Sequence, residues 1–222
     1  MTISVALEVG STRVFAAALD WPGWCRSARD EDGALRALLE YAPRYAAVLR
    51  RKRLAFTLPR DASAFRVAER LPGNATTDFG APSIISASDS RRMDDRELAR
   101  QRSVLEASWA AFDAAVAAAS GKRLQKGPRG GGRSLAAIGD HVLQADAGYL
   151  VRIGGTYRKG DKAIEKDRIR TGILEALSSA PRTGTPPPGP RGGARWPIRY
   201  YLRRSAWHVL DHAWEIEDRA NL

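Results

Sequence analysis

A chain of 222 residues with 44% hydrophobic content can bury the core of one large domain or two small ones, and a change of texture near residue 90 argues for two. The formal charge of +11 rests on 36 basic against 25 acidic residues, only 6 of the basic ones lysine, so the excess favours anionic surfaces in general without specifying one. The lone Cys25 excludes an internal disulfide, and no stretch approaches the ~20 apolar residues of a membrane span or the pattern of a signal peptide, so the sequence predicts a cytoplasmic protein with no membrane partner.

In chain order, "ISVALEV" and "VFAAAL" are short β-prone runs separated by "GSTR", an interval that suits a hairpin. Asp30 or Asp32 can cap a helix carrying Leu35, Leu38, Leu39 and Tyr41, which Pro43 interrupts or ends. "LAFTLP" and "FRVAERL" read as two further strands, and the turn-rich stretch from Pro72 to Ser90 shows no periodicity. From Asp94 a long helix places Leu98, Leu105, Trp109, Phe112 and Val116 on one stripe and stops before Gly121. After a glycine-rich loop at 121–133, Ser134 caps a second helix with Leu135, Ile138, Val142, Ala145 and Tyr149 on its apolar side. A weaker helix over 161–179 carries Ile164, Ile169, Ile173 and Leu177. The Pro/Gly linker at 180–195 admits no regular element, and Pro197 suits the first turn of a last helix reaching about Ala220. The expected fold class is α+β, with a small αβ module at 1–80 and a four-helix bundle at 90–222.

The basic residues cluster at 49–54, 121–133 and 200–205, and read as solvated, anion-steering surface. No aromatic residues interleave the glycine-rich cluster, so stacking on single strands is not indicated, and any nucleic-acid binding is expected to be non-specific. No dinucleotide fingerprint, Walker loop or nucleophile elbow is present.

The chemistry concentrates in its three histidines. In "WHVLDHAWEIEDR", His208 and His212 stand four apart and project from one helical face, a spacing that lets two imidazoles reach one ion. His141, in "IGDHVLQAD", lies beside the apolar stripe of its helix and would look into the bundle near its margin. Three imidazoles with an open position make a catalytic divalent site, zinc first, with nickel and ferrous iron behind it. Asp140, Asp211 and Glu215 are candidates to orient the rings, and Glu215 can also serve as a ligand. The competing reading is a solvent-facing stripe of Arg204, His208, His212, Glu215 and Arg219, with Leu202, Val209, Leu210 and Ile216 turned away.

From about residue 85 to 220 the chain resembles the DinB-like superfamily, on "IGDHVLQADAGYL" and "RRSAWHVLDHAWEIEDR". The resemblance implies a four-helix bundle with His141, His208 and His212 as metal ligands, and a thiol-dependent transferase or detoxification activity. Composition and family together point to mycothiol as the low-molecular-weight thiol. The N-terminal part is similar to HicB-like antitoxin domains, on a strand-strand-"PGC"-helix pattern that "WPGWCRSARDEDGALRALLE" matches with an extra Trp24. That similarity implies a toxin- or RNA-binding module and offers the alternative of a non-enzymatic interaction protein with the bundle as scaffold. A module that simply packs against the bundle fits as well.

In the enzyme reading, Arg203, Arg204 or Arg219 would hold a carboxylate of the thiol or the small-molecule substrate by a bidentate contact. Cys25 reads either as a thiol activated by Arg26 and Arg29 or as a small buried hydrophobe, and Trp207 and Trp214 as packing or as substrate contacts. A homodimer is left open.

Overall fold

A computed structural model describes residues 2–126, 132–158, 162–182, 187–189 and 193–221, the backbone alone at 162–164. The expected hairpin is β1 (Ile3–Val9) and β2 (Val14–Ala18), antiparallel from Val9 opposite Val14 to Val5 opposite Ala18. A third strand, β3 (Cys25–Ala28), continues the meander. The Asp30 side chain accepts from the Gly33 amide and opens α1 (Glu31–Glu40), and Pro43 sits in the first turn of α2 (Ala42–Arg50), so the proline starts a helix as well as ending one. Of the two later strands, "FRVAERL" forms β4 (Phe65–Pro72), parallel to β1, giving the order β3-β2-β1-β4. "LAFTLP" is not a strand: it runs as irregular chain between α2 and β4. The aperiodic stretch holds a short α-helix, α3 (Ala75–Phe79), and a 3-10 turn at Ala87–Ser90.

Side chains alternate across the sheet. Ile3, Val5, Leu7, Val14, Ala16 and Ala18 face α1 and α2, where Trp24 stacks on Tyr45 at 5.6 Å and donates through Nε1 to the Leu38 carbonyl at 2.8 Å. Phe15, Ala17 and Cys25 face the other way and are covered by Trp207.

The C-terminal residues form a helical bundle of α4 (Asp95–Ala119), α5 (Leu135–Arg152), α6 (Lys162–Ser179) and α7 (Ile198–Ala220). Asp94 and Ser134 cap α4 and α5 through the Glu97 and Ala137 amides. The expected stripes pack together, Leu98, Leu105, Trp109 and Phe112 against Ile138, Val142, Ile169, Ile173 and Leu177, while the Ile164 side chain lies outside the described residues, as do 127–131 and parts of the Pro/Gly linker. Arg170 holds Asp113 through two nitrogens at 2.6 and 3.0 Å and so ties α6 to α4. Among the described residues no helix is long and apolar enough to cross a membrane.

The two parts share a core. Val104, Ala107 and Ala111 of α4, with Leu210 and Trp214 of α7, belong to the cluster under the sheet. Gly23, at φ +88°, brings the Trp21–Trp24 turn against α7, where an added Cβ would lie 2.8 Å from Leu210 Cδ1. Gly23→Ala is therefore expected to destabilise the protein by about 1–3 kcal/mol, from the left-handed backbone and the overpacking together, read as a lowered urea midpoint at unchanged slope.

Candidate metal centre

Helix α7 is buried on nearly every side, which neither reading of its sequence anticipated. Leu202, Val209 and Ile216 enter the bundle core, Leu210 and Trp214 the core under the sheet, and Trp207 the opposite sheet face. The polar stripe is turned onto α5 and is not a solvent face: His208 and His212 are only 6% and 9% exposed.

His141, on α5, meets them there and is itself partly exposed. The Nε2 atoms of His141 and His208 lie 3.1 Å apart, and one ligand atom from each of the three rings falls within 4.8 Å of the others. Two imidazole nitrogens on a tetrahedral ion at ~2.0–2.1 Å stand roughly 3.3 Å apart, so one pair is already at ligand spacing and the third ring is near it. Burial, reinforced by the neighbouring imidazole of His212, holds His208 well below the ordinary histidine range and His141 below it, so both rings are neutral and carry lone pairs at neutral pH. His208 Nδ1 is sealed from solvent with no hydrogen-bond partner among the described residues.

Glu215 does not join the three rings. Its Oε2 lies 2.7 Å from His212 Nδ1 and its Oε1 accepts from Arg219 at 2.7 Å, and these two contacts hold its carboxyl below the usual range. It therefore fixes the His212 ring with Nε2 toward the other histidines, the arrangement by which a carboxylate orients a metal-bound imidazole. Asp211 is drawn off to Arg26 at 3.1 Å.

The three arginines predicted to hold a ligand separate. Arg203 is drawn onto the buried Asp89, donating from Nε at 2.9 Å and from Nη2 at 2.5 Å. Arg219 is spent on Glu215 and on the Gln125 carbonyl. Arg204 has neither hydrogen bond nor ion pair among the described residues; its guanidinium lies 4.6 Å from the Trp207 ring centroid and 5.7 Å from that of Tyr149. The reading of 200–205 as solvated surface is thus corrected, because Asp89, far back in the chain, supplies a buried partner for Arg203. The cluster at 50–53 is exposed as expected.

Comparison of the chain with protein-family models, curated proteins and solved structures finds no match. The site therefore rests on its own geometry.

Cys25 is a buried hydrophobe in practice: burial, with Glu8 adding to it, pushes the thiol up to about 12, where it is inert at neutral pH. The cavity it borders, between the sheet and α7, has a volume of about 20 Å³, room for roughly one water. Trp214 is buried and packs on Tyr41 at 5.1 Å.

Two features near the histidines escape a reading of the sequence. Tyr149, classed there with the apolar stripe, stands 5.9 Å from the His208 ring and 4.9 Å from Trp196. Asp146 is an acid on the core side of α5, 2% exposed, and its position four residues after Val142 was the available signal.

Proposed function

We propose that His141, His208 and His212 hold one divalent ion, zinc in first place and nickel or ferrous iron behind it, and that the chain is a metal-dependent enzyme of the DinB-like type. Its reaction on this reading joins a low-molecular-weight thiol of the mycothiol kind to a small electrophile. The observation that carries the proposal is the convergence of three imidazoles from two helices, two of them nearly buried. Such an ion, when bound, polarises an electrophile and favours the ionised form of a thiol or water.

The chain's own residues prepare for that role. Burial keeps His208 and His141 unprotonated, and Glu215 sets the His212 ring. The rings of Tyr149 and Trp207 lie beside His208, while the partial exposure of His141 leaves one side of the group open. The alternative, a HicB-like interaction module on a passive scaffold, draws no support from a free sheet face: α1 and α2 cover one side, Trp207 packs on the other.

The deciding experiment is elemental analysis of protein purified without a nickel column. One divalent ion per chain is expected, with none in the triple His141→Ala, His208→Ala, His212→Ala variant; wild-type metal content in that variant defeats the proposal. Incubation of the loaded protein with mycothiol and a panel of electrophiles then tests the reaction, and rates independent of the ion would remove the thiol-transferase reading.

Exposed Arg50, Arg51, Lys52 and Arg53 are expected to give only sequence-blind nucleic-acid binding. If about four phosphates are neutralised, affinity for any duplex falls about 10²-fold between about 50 and 200 mM salt. Tight binding of one particular duplex at the higher salt would contradict this.

A further inference from the structure

Arg204 stands one turn before His208 on the same face of α7, about 6 Å away along the axis. Its neighbours on that helix each have a carboxylate: Arg199 holds Glu97, Arg203 holds Asp89, and Arg219 holds Glu215. Arg204 has none among the described residues, and its Nη1 is sealed from solvent without an acceptor. Stacking against Trp207 and Tyr149 engages the faces of the guanidinium and leaves its N–H edge unbonded. A partly buried cation of this kind, with a planar donor edge and flat walls beside it, is the complement of a planar carboxylate on a flat organic body.

Glu215, in contact with His212, is already shared between His212 and Arg219. An anion that reaches the histidines therefore meets the Arg204 guanidinium, which has no carboxylate partner among the described residues.

We infer that Arg204 anchors the carboxylate of a small organic acid whose flat body lies along Tyr149 and Trp207, beside the three histidines. This deepens the metal-centre reading and rests on it only for which end of the molecule meets the ion; the carboxylate contact is made by the chain itself. The substrate class is accordingly an unsaturated or aromatic carboxylic acid, in place of a neutral electrophile.

The test is calorimetric titration with benzoate, its neutral isostere benzamide, and inorganic phosphate, on the protein as purified and again after removal of metal by a chelator. Benzoate is expected to bind at least about tenfold more tightly than benzamide or phosphate. Arg204→Met should weaken benzoate at least about tenfold, with metal content and melting temperature unchanged. Arg204→Lys, which keeps the charge and loses the planar fork, should fall between the two. The inference is overturned if wild-type protein does not bind benzoate at millimolar concentration, if benzamide or phosphate binds as tightly, or if Arg204→Met binds like wild type. Failure of the metal reading would show separately, as a chain purified without an ion, and would leave the benzoate comparison intact.

Discussion

His208→Ala protein is expected to bind its ion about 10³-fold more weakly than wild type, because it removes one of three donors. The apparent free energy of a protein-bound zinc ion is on the order of 10–16 kcal/mol, so the share of one imidazole is about 4 kcal/mol. Glu215→Ala removes no donor. It frees the His212 ring from its one anchoring carboxylate contact among the described residues, and the expected loss is the 10- to 100-fold typical of an orienting partner. Asp211→Ala should change metal affinity little, since Asp211 is engaged with Arg26. Competition with a chromophoric chelator measures all three. Equal losses for Glu215→Ala and His208→Ala would make Glu215 a ligand and close the site, whereas a His208→Ala protein with wild-type affinity would remove the histidines from the site.

Asp146→Asn is expected to stabilise the protein at pH 8 and to have a much smaller effect at pH 5. Asp146 lies inside the bundle, where burial pushes its carboxyl up to about 7 although Arg170, Trp109 and Ser205 draw it down. The Trp109 and Ser205 donors approach without completing aligned hydrogen bonds: Asp146 Oδ1, Trp109 Nε1 and Ser205 Oγ are all sealed and have no partner among the described residues. The folded chain therefore keeps a proton that the unfolded chain, with a pKa of about 3.9, releases. Between about pH 4 and 7 the folded state binds more protons, so stability falls as pH rises and then levels off above 7. A shift of about three units corresponds to about 4 kcal/mol as an upper bound, and asparagine, neutral and of the same shape, removes it. Urea unfolding of both proteins at pH 5 and pH 8 gives the result, and an identical pH dependence in the two would show that Asp146 is ionised in the fold.

The elements that the sequence reveals are those with strong periodicity or an explicit terminus. Helices α4, α5 and α7 were legible from stripes of Leu, Ile and Trp and from Asp94, Ser134 and Pro197 at their starts. Strand β3 was not, because "CRSA" has no alternation and its pairing with β2 comes from the turn at Gly23. The histidines were legible from the spacing of His208 and His212, but whether that face was wet or buried depended on α5, whose packing no local pattern encodes. Arg203 and Arg204 are adjacent and chemically identical, and only Asp89, brought from the other side of α4, tells them apart.

The core shared by sheet and bundle governs how this chain can be taken apart. A bundle cut free near residue 90 would present Val104, Ala107, Ala111, Leu210 and Trp214 to water, and a sheet module cut free would lose the same partners. Either fragment would carry an adhesive face and tend to associate with copies of itself. Because α7 carries His208 and His212 on one side and Leu210 and Trp214 on another, grafting the site onto a different scaffold means transplanting the sheet's footprint with it. The N-terminal residues are in that sense an obligatory companion of the histidines, to be exchanged, duplicated or redesigned only as a pair.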